Sequence, residues 1–113
     1  MEADTTLAVV RDAMEDLKAL DIVELSVSEK THLTDYFILC SGTSSIHIRA
    51  IADRILERMK EHGVNGIRRE GYQEARWILM DFGDVVAHVF DPDDRKFYAL
   101  EEFWERERPL LPQ

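Results

Sequence analysis

Three stretches of this 113-residue chain hold residue types that do chemistry in other proteins. The first is Asp81-Phe82-Gly83 with His88 five residues further on, a spelling that in protein kinases belongs to a metal-binding carboxylate. That use needs a Gly-rich phosphate loop, a strand lysine and a catalytic loop upstream, and none fits in this chain, so the triplet reads as turn chemistry. His88 has no Ser or Cys nucleophile in pattern with it, and a lone histidine is more often a surface or core residue than a base. The second stretch is SGTSS, residues 41–45. A Ser/Gly turn that opens a helix offers unpaired backbone N–H groups to a phosphate, yet the hydroxyls of Ser41, Thr43, Ser44 and Ser45 are equally explained as helix caps. Two-metal nucleotidyl transfer would also require carboxylates converging near that turn, and no DxD pair follows it in an adjacent strand. The third stretch, Asp91, Asp93 and Asp94 around Pro92, reads as a turn leading into a helix.

Composition sets the frame for these residues. The chain is 45% hydrophobic and 33% charged, enough for one domain with one core and too short for two. It has no run of eighteen apolar residues, and its N-terminus is acidic where a signal peptide would be basic, so a soluble, cytoplasmic protein without a membrane partner is expected. Cys40 is the single cysteine, which excludes an intrachain disulfide. His32, His47, His62 and His88 have no metal-ligand spacing with it, so neither a metal nor a cofactor is expected. With 14 Lys and Arg against 23 Asp and Glu, the net charge is −9. Such a field repels phosphates, and Arg68, Arg69 and Arg76 make a thin basic patch, so no primary nucleic-acid site is expected. A basic protein suits the charge better as a partner, although acidity also serves plain solubility.

The elements follow from periodicity. Asp4 and Thr5 are candidate caps for a helix that buries Leu7, Val10, Met14 and Leu17. IVELSV (22–27) alternates, with Val23, Leu25 and Val27 on one face, while YFILC (36–40) is apolar throughout, as a strand buried on both sides requires. A second helix follows the SGTSS turn with Ile48, Ile51, Ile55 and Met59 at helical spacing, and Gly63 ends it. Residues 67–70 are predicted to return to the sheet as a short strand by a right-handed crossover. A last helix is predicted from about Arg95, burying Phe97, Leu100 and Trp104 or Phe103, before a tail marked by Pro109 and Pro112.

The hairpin ARWILMDFGDVVAHVF (75–90) is worked out by parity. With Gly83-Asp84 as a two-residue turn, facing residues keep a constant sum, so Trp77 meets Phe90 and Leu79 meets His88. One face then collects Ile78, Met80, Phe82, Val85, Ala87 and Val89, all apolar, and belongs to the core. The other collects Trp77, Leu79, Asp81, Val86, His88 and Phe90 and is expected to look outward. An outward Trp and Leu need a cover, which is either a partner protein or the chain's own last helix.

Four segments, LTDYFILCSGTSS (33–45), AIADRI (50–55), EGYQEARWILMDFGDVVAHVF (70–90) and FYALEEFW (97–104), agree in order and spacing with one family. The chain resembles the ribosomal silencing factors, also called Iojap-like proteins, over nearly its whole length. Its departures from the family's commonest form, such as Met80 and Ala87, are apolar residues on the expected core face. The resemblance implies one α/β (α+β) domain over residues 1–108 with a tail at 109–113. Its roughly five-stranded mixed sheet would be flanked by helices in a nucleotidyltransferase-like fold without the catalytic carboxylates. It implies a protein that is not an enzyme. Family members bind the large ribosomal subunit through the ribosomal protein numbered fourteen, prevent the small subunit from joining, and damp translation when nutrients are short. Carried onto this sequence, Trp77 would be the apolar anchor and Leu79 its neighbour. Arg76, Asp81 and His88 would be orienting polar contacts, with Tyr72 nearby. A homodimer through the same patch is a further expectation, and nucleotide binding at residues 41–45 and a generic dimerisation module are the competing readings.

Overall fold

The structure is a computed structural model that describes residues 1–28 and 33–93. The expected C-terminal helix with its whole apolar stripe, and the boundary at residue 108, lie outside the described residues.

Helix α1 spans Ala3–Asp16 and buries Leu7, Val10, Ala13 and Met14, the 3–4 spacing of one stripe. Its N-cap is Glu2, without a side-chain cap, so Asp4 sits in the first turn and neither Asp4 nor Thr5 is the cap expected from sequence. Strand β1 (Leu20–Ser26) and strand β2 (Tyr36–Ser41) pair antiparallel. Helix α2 (Ser45–Glu61) buries Ile48, Ile51, Ile55 and Met59. Ser44 caps it, accepting from the His47 N–H, and it stops at Gly63, whose φ of 83° and N–H bond to the Lys60 carbonyl form a left-handed C-terminal cap. Strands β3 (Trp77–Asp81) and β4 (Val85–Phe90) form the hairpin.

Among the described residues the sheet has four strands in the order β1-β2-β4-β3, with β2 and β4 parallel and both outer pairs antiparallel. The roughly five-stranded expectation is corrected on one element. Residues 67–70 do not join as a strand; Glu70 alone bridges Leu79. Gly66 and Gly71 flank this segment at φ 77° and 84°, conformations that break an extended run at both ends, and Arg68-Arg69-Glu70 supplies no apolar alternation to seat it. The parallel pair therefore forms between β2 and β4, with α2 and β3 in the connection.

Both helices lie on one face of the sheet and pack on each other. There Val10, Met14, Ile38, Ile48, Ile51, Ile55, Ile78 and Met80 are fully buried, each contributing roughly 1.5–3 kcal/mol on transfer from water. Arg58 joins Asp12 (2.7 Å) and Asp16, and Arg54 joins Asp16 (2.5 Å), tying the solvent sides of the two helices. Between Leu20 and Val23 the β1–β2 register shifts by one residue, and Asp21 takes φ 51°. This is a bulge in an edge strand.

Candidate functional site

The hairpin follows the constant-sum register: Trp77 faces Phe90, Leu79 faces His88, and Phe82 N–H donates to the Val85 carbonyl at 2.9 Å across the Gly83-Asp84 turn. Alternation then divides the side chains as the parity argument requires. Ile78, Met80, Val85, Ala87 and Val89 enter the helix-side core, with Phe82 packed against it. The opposite face gathers Leu25, Val27, Leu39 and Phe90 into a second cluster, with Val23, Phe37 and Trp77 packed against it.

On this second face the aromatic rings cover one another. Trp77 stacks on Phe90 at 5.0 Å between centroids, His88 lies parallel to Phe90 at 5.9 Å, and Phe37 meets His88 edge-on at 4.7 Å. As a result the row is less outward than its sequence suggests. His88 and Phe90 are buried, Trp77 and Leu79 are half-buried, and Asp81 is exposed. The Trp77 indole N–H donates to His88 Nδ1 at 2.9 Å, which leaves the proton of the neutral ring on Nε2. Nε2 is buried and, among the described residues, makes no hydrogen bond. Burial lowers the His88 pKa from 6.5 to about 4, so the ring is neutral at physiological pH. His88 thus orients the indole by accepting from it.

The structure brings only part of the expected residue set together. Trp77, Leu79 and His88 share the second face. Asp81 lies at the hairpin end, where its Oδ1 accepts the Gly83 N–H at 2.8 Å, a turn-forming role. Arg76 is exposed just before β3, and its carbonyl accepts from the Asp91 N–H. Tyr72 sits on the helix side: its hydroxyl donates to Asp53 on α2 at 3.0 Å, and the Arg69 guanidinium lies 4.1 Å from its ring centroid. Arg49 holds this turn by donating to the Tyr72 and Gln73 carbonyls. Sequence reasoning missed Phe37 as a member of the face. Its signal is the β2–β4 register, which sets Phe37 beside Val86 and cannot be read from an unbroken apolar run.

The SGTSS turn is largely occupied by the chain itself. Gly42 N–H donates to the Phe90 carbonyl (3.0 Å), Thr43 N–H to His47 Nδ1 (2.9 Å) and His47 N–H to Ser44 Oγ (3.1 Å). His47 Nε2 in turn donates to the Leu17 carbonyl at 2.6 Å. A Cβ at Gly42 would come within 2.7 Å of the Ile48 side chain, so the glycine lets the turn close onto α2 rather than open a cradle. Among the described residues no three His, Cys, Asp or Glu side chains converge as metal ligands would, and no helix is long and apolar enough to cross a membrane.

Comparison with known proteins adds the lineage of this arrangement. A family model described as ribosomal silencing factor during starvation matches residues 1–112. A Bacillus subtilis protein named ribosomal silencing factor is 39% identical over 104 residues, covering 92% of this chain and 88% of that protein. A mouse protein named for mitochondrial assembly of the ribosomal large subunit is 33% identical over 89 residues, 76% of this chain and 39% of its own length. The crystal structure of a Chromobacterium violaceum protein superposes with a TM-score of 0.88 at 36% identity, covering 93% of this chain and 88% of that one.

Proposed function

The chain belongs to the ribosomal silencing factor family, and from that membership we propose that it binds the large ribosomal subunit through ribosomal protein fourteen and excludes the small subunit by bulk. Family membership places it in ribosome-associated regulation of translation. The observation that carries the finer reading is the second sheet face, where a half-buried Trp77, fixed by His88 and stacked on Phe90, stands beside Leu79. A rigid aromatic anchor that is already oriented loses little side-chain entropy on docking, which is why such residues dominate interface energetics. The net charge of −9 favours approach to a basic ribosomal protein and sets the encounter rate more than the final affinity.

The action is occupancy. Inhibition depends on affinity and concentration, and no bond is made or broken. A second copy of the chain pairing through the same face would compete with the subunit.

Sedimentation with isolated large subunits, small subunits and a reassociation mixture tests the proposal. The native chain is expected to travel with large subunits alone and to reduce the joined fraction, and a folded Trp77→Ala variant to lose both effects. Co-migration with small subunits, or equal behaviour of the variant, would overturn it.

A further inference from the structure

A cleft of about 610 Å³ opens between the C-terminal half of α2 and the loop leading to β3. Apolar Leu56, Val64 and Ile67 line it together with Lys60, Arg68 and Arg69, and Glu74 is the carboxylate on its wall. Its cations are not equivalent. Arg69 is committed to Asp53 and to the Tyr72 ring, whereas Lys60 and Arg68 are exposed and their side chains, among the described residues, have no ion-pair or hydrogen-bond partner. Two uncommitted cations beside one cleft stand out on a chain with nine surplus negative charges.

We propose that this cleft takes a stretch of RNA phosphodiester backbone next to the protein contact, with Lys60 and Arg68 each meeting a phosphate. The inference rests on the large-subunit reading above. Phosphodiester is the anion that a ribosomal subunit, as an RNA–protein particle, offers most densely, and the 71–74 turn lining the cleft leads within three residues to Trp77. The contact is short-range by necessity. At physiological salt, charges more than about 8 Å apart are screened, so the repulsive net field governs the approach while the two local cations act only after docking. It is also blind to base sequence. Tyr72, the aromatic on the cleft, is held by Asp53 and Arg69 and is not a platform for stacking, and phosphate contacts position a partner without reading it.

The test is a salt titration of binding to isolated large subunits, comparing the native chain with the double variant Lys60→Gln/Arg68→Gln. Binding of both to isolated ribosomal protein fourteen, free of RNA, runs in parallel. The slope of log affinity against log salt is expected to fall by about 1 for each phosphate contact removed, with binding to the isolated protein unchanged. That unchanged binding also certifies the fold of the variant. An unaltered slope overturns the inference and leaves the large-subunit reading standing. Weaker binding of the variant to the RNA-free protein also overturns it, because the cleft would then be holding protein carboxylates. Failure of the native chain to bind subunits at all removes both.

Discussion

The two faces of the sheet are built from the same strands and do different work. On the helix side, Ile38, Ile78 and Met80 are fully buried in one apolar cluster with Ile48, Ile51 and Ile55 of α2 and Val10 and Met14 of α1. On the other side, Phe37, Trp77, His88 and Phe90 are rings that cover each other, with one buried donor that has no acceptor among the described residues. Aliphatic packing on two helices makes stability, while a ring stack with half-buried edges makes a pre-shaped surface. The expectation is that damage to the first face unfolds the protein, and damage to the second disarms it.

The sharpest way to break this contrast is a cavity on the helix side. Ile51→Ala is expected to cost about 2–5 kcal/mol in denaturant unfolding, and to lower ribosome binding only as far as the folded fraction falls. Acidification comes next. The folded pKa of His88, about 4, lies below its unfolded value of 6.5, so the folded state binds fewer protons. This contribution is whole above pH 6.5 and is lost as pH falls toward 4, a loss of roughly 3 kcal/mol in total. A His88→Gln variant should show a flatter stability profile across that window in urea melts taken at each pH, and a steep profile in the variant would place the acid sensitivity elsewhere. Trp77→Ala should weaken large-subunit binding by about 2 kcal/mol, roughly thirtyfold, with a smaller change in stability; the reverse ranking would make the second face a core. The smallest effect is at the α2 cap. Ser44→Ala should cost about 1 kcal/mol in thermal unfolding and leave subunit binding unchanged, as befits a hydroxyl that serves its own helix.

Sequence revealed most where the determinants are local. The hairpin register followed from a two-residue turn, and the stripes of both helices from their spacing, because those constraints act within a few residues. It failed where a partner distant in the chain decides. Phe37 could be assigned to a face only through the parallel pairing with β4, and Tyr72 was drawn to the helix side by Asp53, nineteen residues away, and by Arg49. The predicted strand at 67–70 ignored two glycines whose left-handed conformations outweigh strand propensity. His88 reads in sequence as an outward polar contact, and the structure instead buries it, where it accepts the Trp77 N–H and supports the indole from within.

The bulge in β1 limits how this protein can meet its neighbours. With an extra residue between Leu20 and Val23 and Asp21 turned left-handed, that edge is too irregular to template another strand, and at the opposite edge Glu70 already pairs with Leu79. Growth by strand addition, the usual hazard of an open sheet, is thereby resisted at both margins. Contacts with other molecules are thereby left to the faces of the sheet, where shape and side chains choose the partner, and kept away from backbone that would pair with any extended chain.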